Sequence, residues 1–358
     1  MYYPLLRNGN NEMKALRELK EISRGMVIPI IESKRIKKQN VNNWEGTFNT
    51  LGKYLKERVQ NTKFIYDFNC AFEDIGTDEA LIDANGSNLV EHCINKMQEQ
   101  DLDLIPCFQH DSPEWLIKSV LQSGINDIAI RIRCHDFQES FNPFVYEKLK
   151  KDLEVVAPNT RFIVILDFFN HTTSMKRIQN AINVFSEIPN SEIVYLATSC
   201  PEDASLADAH AITLIGPRED LNKYLELKTT NSNLHFGDYT TRLKGEVLSG
   251  FNHNNSYIKI FYSSETDYYI AKSRLIREGG EETFHQVCQE LIEQDFYPGE
   301  DFSFGDKEIR KCADKEITIG DHQTPIAIGV NHHIETTIEQ LKTISSSLLS
   351  LTHRTHTF

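Results

Sequence analysis

Apolar, β-branched runs alternate with amphipathic stretches along most of the chain. Met26-Val27-Ile28-Pro29-Ile30-Ile31 is the first run, and its continuous apolar character fits a strand buried on both faces. Trp44, Phe48, Leu51 and Leu55 then recur at helical spacing, which predicts a helix over 42–59. Further strands are predicted at 63–68, 102–108, 127–133, 161–168, 192–198, 234–239 and 257–262. Helices are expected between them: over 88–100, from Ser112-Pro113-Glu114 to Gly124, and near 143–156, 173–188 and 221–227. Ser112 is read as a cap and Pro113 as a first-turn residue. Ala211 to Ile215 reads as an extra strand.

Strand–helix alternation means parallel strands joined by crossover helices, and eight units point to a closed (β/α)8 TIM-like barrel. The competing architecture is a doubly wound open sheet. No Gly-rich fingerprint follows the first strand, which weakens a dinucleotide-binding version of it. The last stretch breaks the pattern. A helix at 281–294 leads into a Gly- and aromatic-rich loop, Tyr297 to Asp306, and a final helix is expected over 334–349. The expected division is a barrel over 1–264 and an α-containing C-terminal extension over 265–358, packed on the barrel.

Composition narrows the picture. The 358 residues suit one barrel with an extension. The net charge of −14 opposes bulk nucleic-acid binding, which needs clustered Lys and Arg. The compact basic stretch Lys34-Arg35-Ile36-Lys37-Lys38 reads as a solvated loop. Met1-Tyr2-Tyr3-Pro4 enters charged sequence with no apolar leader core, and no apolar run reaches a membrane span of roughly 20 residues. Seven cysteines without a CxxC pair suggest neither a disulfide framework nor a zinc ribbon. A cytoplasmic protein with no membrane contact is expected.

Barrel chemistry sits at the carboxyl ends of the strands. The strand ends carry Glu32; Asp67 and Asn69; Gln109, His110 and Asp111; Arg131, Arg133 and His135; Asp167 and Asn170; Thr198 and Ser199; Asp238 and Tyr239; Tyr262 and Ser263. In Ile128-Ala129-Ile130-Arg131-Ile132-Arg133 the isoleucines share one face, so Arg131 and Arg133 point into the barrel. Inward arginines need partners, and Glu32, Asp67 and Asp167 are the natural ones. Two uses stay open. The arginines, with His110, Asp238 and Tyr239, bind an anionic or phosphate ligand while Glu32, Asp67 and Asp167 act as acid, base or metal holders. Alternatively, the charges neutralise each other. Cys107 and His110 have ligand-like spacing but no second pair, so no metal is assigned, and no motif identifies a cofactor. Cys134-His135 reads as a buried structural cysteine beside a histidine, and His332-His333 as a cap or packing element. No P-loop, G-x-S-x-G or H-E-x-x-H motif occurs.

Several segments resemble the beta protein family of phage and bacterial proteins. They are Tyr2-Tyr3-Pro4-Leu5-Leu6-Arg7, Glu12 to Leu19, Val27 to Glu32, Phe236-Gly237-Asp238-Tyr239, Phe304-Gly305-Asp306 with Ile309 and Cys312-Ala313, and Gly329-Val330-Asn331-His332-His333. Pro325-Ile326-Ala327-Ile328 departs from the aromatic and arginine expected before the histidine pair. The resemblance supplies no catalytic residues. It implies a companion protein encoded nearby and a setting like anti-phage defence. The function expected is therefore a binding or sensor subunit acting with a companion effector. The alternative is a metal-assisted hydrolase of a phosphate-bearing substrate.

Overall fold

The computed structural model describes residues 1–77, 80–156, 160–169, 172–241, 255–319 and 324–354. The chain folds into two compact units, neither of them one continuous stretch of sequence. The first comprises Met1–Gly9, Val27–Thr198 and Glu219–Tyr239; the second comprises Asn10–Met26, Ser199–Arg218 and Thr240–Phe358. The single boundary expected at 264 gives way to this interleaved division, because tertiary contacts gather segments that sequence order separates.

Among the described residues eleven strands are formed: β1 Tyr2–Arg7, β2 Ile30–Glu32, β3 Phe64–Asp67, β4 Leu104–Gln109, β5 Asp127–Arg133, β6 Arg161–Phe169, β7 Ser191–Ala197, β8 Ala211–Pro217, β9 Leu234–Asp238, β10 Tyr257–Ser263 and β11 Asp267–Leu275. In the first unit, β1 to β7 and β9 close an all-parallel eight-stranded barrel, as the alternating pattern predicts. The membership differs from expectation at two strands. The first staff of the barrel is β1, whose run of Tyr, Pro and Leu carries a proline that argues against a central strand. The segment at 257–262 lies outside the barrel: β10 pairs antiparallel with β11, which pairs antiparallel with β8. Local sequence does not distinguish these alternatives, since both are short apolar runs.

Helix ends differ too. The stretch over 42–59 is broken into a 3-10 turn, Lys38–Asn43, and two helices, Trp44–Phe48 and Leu51–Val59. Helix Glu114–Leu121 begins after Pro113, and Ser112 is no cap. Its hydroxyl accepts from the Gln109 N–H at 2.9 Å and donates to Asn69 Oδ1 at 2.9 Å. Helix Leu89–Gln98, by contrast, carries a full capping box from Asn88 and Glu91.

The amino-terminal end of the barrel carries a chain of charges. Lys63 pairs with Asp127 at 2.6 Å, Arg161 bridges Asp127 and Glu192, and Tyr3 donates to Glu192 at 3.3 Å. Polar residues at this end of such a barrel serve stability.

The second unit is a three-stranded sheet with helices Asn10–Arg17, Glu282–Ile292, Phe304–Ala313 and Thr324–Arg354. Its core gathers Ile258, Ile260, Tyr262, Phe284, Val287, Leu291, Ile309 and Ile328. The loop expected to run to Asp306 ends earlier, because Ser303 caps the helix by accepting from the Asp306 N–H at 3.1 Å. The last helix starts a full ten residues before the predicted Ile334, with Pro325 in its first turn, where a missing N–H costs nothing. Among the described residues no helix is long and apolar enough to cross a membrane.

Close approach makes some glycines irreplaceable. A Cβ at Gly52 would lie 1.8 Å from the Lys96 carbonyl oxygen, where the two helices flanking β3 meet. Gly52→Ala is expected to destabilise by about 3 kcal/mol, an overpacking cost. Gly9→Ala, with nothing within 4 Å of its Cβ, should leave the urea midpoint nearly unchanged. Equal midpoints for the two variants would contradict this packing.

Candidate functional site

Side-chain parity carries Glu32, Asp67, Gln109, Arg131 and Asp167 to one layer at the carboxyl end of the barrel, and Tyr239 joins them just after β9. Arg131 is the hub and is 3% exposed. Its Nε donates to Asp167 at 2.8 Å, one terminal nitrogen to Glu32 at 2.9 Å and Asp67 at 3.1 Å, and the other to the Tyr239 hydroxyl at 3.0 Å. The second terminal nitrogen also lies 2.7 Å from Asp167.

The acceptors are themselves held. Tyr239 donates to both Asp167 oxygens, at 2.7 and 2.8 Å. Asp67 accepts from Gln109 Nε2 at 2.8 Å and from the Asn69 N–H at 3.1 Å. Asp167 also accepts from the Phe169 N–H at 2.9 Å. Burial by itself disfavours the charged guanidinium, but Asp167, Tyr239, Glu32 and Asp67 outweigh it and hold Arg131 well above its ordinary pKa. Burial and the Asp167 charge push the Tyr239 phenol well up, so it remains a donor. Arg7 stands in register with Glu32 at the end of β1, a position invisible to any reading that leaves β1 out of the barrel.

The remaining predicted residues lie elsewhere. Arg133 is on the same face of β5 but one pleat outward, half-buried, and paired with Asp111 at 3.0 Å and Asp136 at 2.7 Å. His110 lies beside it, its ring against Phe137 at 5.8 Å, and burial lowers its pKa. His135 packs on Phe169 at 5.2 Å. These form a rim of two histidines, one arginine and two phenylalanines at the carboxyl ends of β4, β5 and β6. Phe169 has φ of +54°, a strained conformation for a bulky residue, held by its hydrogen bond to Asp167.

Asp238 does not join the layer. Tyr239 points inward, so Asp238 faces the helices, where it accepts from the Tyr2 hydroxyl at 2.6 Å and is fully buried. Asn170 lies outside the described residues. Cys107 and Cys134 are buried thiols whose pKa is pushed up by burial. Among the described residues no group of three His, Cys, Asp or Glu side chains is arranged to hold a metal.

A second polar cluster, in the second unit, was not foreseen as such. Tyr262 and Ser263, expected at a barrel strand end, lie here at the end of β10. His332 and His333 are fully buried in mid-helix rather than at a cap. His332 Nδ1 meets Asp306 at 2.8 Å and Nε2 meets the Ser263 carbonyl at 2.8 Å. Its ring stacks on Tyr262 at 3.7 Å, and the Tyr262 hydroxyl donates to Asp306 at 2.5 Å. His333 meets the Ser263 hydroxyl at 3.0 Å. Asn331 accepts from the Gly305 N–H at 3.1 Å and donates to the Ala15 carbonyl at 2.9 Å. A Cβ at Gly305 would lie 2.4 Å from the Ile328 carbonyl, and one at Gly329 would lie 2.3 Å from that of Phe261. Segments that resembled one family in sequence are thus neighbours in space: β1 with β9 in the first unit, and the Glu12 to Leu19, Phe304 to Ala313 and Gly329 to His333 segments in the second.

The family model described as Beta protein matches residues 2–339. The chain belongs to the Beta protein family. No curated protein matches it. Solved structures resemble it distantly. A β-mannanase of Streptomyces thermolilacinus with mannohexaose is 8% identical, covers 68% of this chain and 78% of its own, and has a TM-score of 0.39. The YdjI aldolase of Escherichia coli K12 is 9% identical over 95% of this chain and 90% of its own, with a TM-score of 0.31. A mutant tryptophan synthase α-subunit of Pyrococcus furiosus is 10% identical over 54% and 85%, with a TM-score of 0.30. Likeness at these scores carries no functional argument for a Beta protein.

Two tests follow from the clusters. Arg131→Ala leaves three buried carboxylates without their cation and should cost about 3–5 kcal/mol, while Arg133→Ala should cost under about 1 kcal/mol. Urea unfolding of both variants distinguishes a buried hub from a solvated pair. In the second unit, burial pushes the Asp306 pKa up, but His332, Ser303 and Tyr262 outweigh it and the net shift is downward. A carboxylate depressed in the folded state contributes stability above its unfolded pKa and loses it as pH falls through the folded one. Asp306→Asn should therefore be less stable at neutral pH and flatter in its acid limb than wild type; parallel acid limbs would remove Asp306 as a contributor.

Proposed function

We propose that this Beta protein is a binding or sensor subunit that works with a companion effector protein in anti-phage defence, rather than the catalyst itself. One observation carries the reading. Every nitrogen of the Arg131 guanidinium is engaged by Glu32, Asp67, Asp167 or Tyr239, and the group is buried. A guanidinium so committed braces the barrel mouth instead of clamping a substrate phosphate. The residues left to meet a small anionic ligand are those of the rim: His110, Arg133 and His135, with Phe137 and Phe169 as apolar walls.

Exposed aromatic surface supports a partner. Phe141 is 54% and Phe144 77% exposed, three residues apart where the 3-10 turn Glu139–Phe141 runs into helix Asn142–Val156. Exposed aromatics placed together are more consistent with an interface than with isolated solvent contact. The alternative reading is a metal-assisted hydrolase. It has in its favour that Glu32, Asp67 and Asp167 lie at the carboxyl ends of barrel strands. It requires Arg131 to release at least one carboxylate to a metal.

Phage plating on cells carrying the gene with its native neighbours tests the proposal. Wild type should reduce plating, Arg133→Ala and Phe141→Ala/Phe144→Ala should each lose most of that protection while remaining folded, and Phe141→Ala/Phe144→Ala should no longer co-purify the neighbouring product. Full protection by both variants overturns the assigned surfaces. A thermal shift on adding Mn²⁺ or Mg²⁺, abolished by Asp67→Asn, would favour the hydrolase instead.

A further inference from the structure

The loop that follows β2 carries the basic stretch Lys34-Arg35-Ile36-Lys37-Lys38 away from the carboxyl end of that strand, and it is anchored as well as solvated. The Ser33 N–H donates to the Asp67 carbonyl at 2.9 Å, and the Ser33 hydroxyl to the Phe68 carbonyl at 3.0 Å. The Ile36 N–H donates to the Ala71 carbonyl at 3.0 Å, and the Ile36 side chain is buried. Lys37 then leads into the 3-10 turn Lys38–Asn43, where the Asn40 N–H donates to the Lys37 carbonyl at 2.8 Å. With the backbone pinned at Ser33 and Ile36, Arg35, Lys37 and Lys38 are all exposed. Lys34 lies over the Tyr54 ring at 4.7 Å, and Arg58 lies over the same ring at 4.9 Å.

Arg35 pairs with Glu73 and, at 3.9 Å, with Asp74, while Arg58 pairs with Glu57 at 3.0 Å. Among the described residues no carboxylate pairs with Lys34, Lys37 or Lys38. Each residue advances the chain by at most about 3.5 Å, so the backbone positions of Lys34 and Lys38 lie within about 14 Å of each other. The screening length at 0.1 M salt is about 10 Å, so these charges act on a ligand together. They are concentrated in a chain whose net charge is −14. Because the three lysines support no ion pair among the described residues, their charge is open to an anion from outside.

We propose that Lys34, Lys37 and Lys38 form a docking surface for an acidic peptide segment of a partner protein. Charge complementarity selects an anion. The surroundings select a peptide over a nucleic acid. Glu57, Glu73 and Asp74 interrupt the basic surface, and a continuous phosphate backbone would run against them. The Tyr54 ring, occupied by Lys34 and Arg58, is not open to stack a base. A peptide spaces its carboxylates onto the lysines and can accept further hydrogen bonds from the exposed Gln39 and Asn40 amides. The surface lies on different elements from the rim of His110, Arg133 and His135 and from Phe141 and Phe144. The proposal rests on the reading of this chain as a binding subunit and gives the partner's chemistry.

The full chain is titrated against a fluorescein-labelled peptide of about ten alternating Glu and Gly residues, long enough to span the loop, and binding is read by fluorescence anisotropy. Wild type should bind, with an affinity that falls about tenfold between about 0.05 and about 0.2 M salt. Lys37→Glu/Lys38→Glu should weaken binding about tenfold or more. Lys118→Glu/Lys151→Glu, which makes the same change of charge at exposed positions elsewhere, should bind as wild type does. Both variants should keep the wild-type urea midpoint, since substitutions at exposed positions cost little. No binding by wild type, or equal weakening by the two variants, overturns the docking surface. Tighter binding of a single-stranded oligothymidylate of equal charge, lost in Lys37→Glu/Lys38→Glu, overturns the peptide as its occupant. Peptide binding by a wild type that gives no phage protection fails the defence reading and leaves this surface standing; protection without peptide binding fails this surface alone.

Discussion

A guanidinium buried in the mouth of a parallel barrel is the constraint on which the first unit depends. Arg131 links β2, β3, β5 and β6 and the residue after β9 through one set of charged hydrogen bonds. Removing such a group from water costs several kcal/mol, and partners recover this only when geometry satisfies every donor. Glu32, Asp67 and Asp167 are similarly unable to be buried alone. The strands must therefore register so that all of them reach one layer, and Gln109 and Tyr239 complete the acceptors' bonds.

This layer separates two roles that the polar strand ends could have combined. Below it the barrel is filled by residues such as Ile65, Ile105, Ala129 and Ile165, all fully or nearly fully buried. Above it the rim of His110, Arg133 and His135 keeps partial contact with solvent. The strain at Phe169 sits at the junction, fixed by the same Asp167 that anchors Arg131. The buried layer closes the barrel beneath a partly exposed rim. It also explains why the residues best placed for chemistry by strand position are the most fully occupied with one another.

The second unit repeats the theme with different means. Asp306 is ringed by Ser303, Tyr262 and His332, each a neutral or histidine donor, so one carboxylate is satisfied without arginine. Glu335 does likewise with the Ser23 hydroxyl at 2.6 Å and the Lys20 N–H at 2.8 Å. Gly305 and Gly329 let backbones approach closely enough for these short side chains to reach.

The sequence alone determined the class of fold, because the β-branched runs and intervening helical periods admit little other than parallel strands with crossovers. It also determined the inward parity of Arg131 and its partners, since alternation along Ile128 to Arg133 leaves the arginines one face. Strand membership was decided by tertiary structure. Tyr2 to Arg7 and Tyr257 to Tyr262 are equally apolar, and only the partner available on each edge, β9 for the first and β11 for the second, sorts them. The same holds for Asp238 and Tyr239. Asp238 ends β9 and Tyr239 follows it, and which faces the barrel follows from a register that no local pattern encodes. The Asp306–His332 cluster was likewise beyond reach, because its members are distant in sequence and meet only when helices pack.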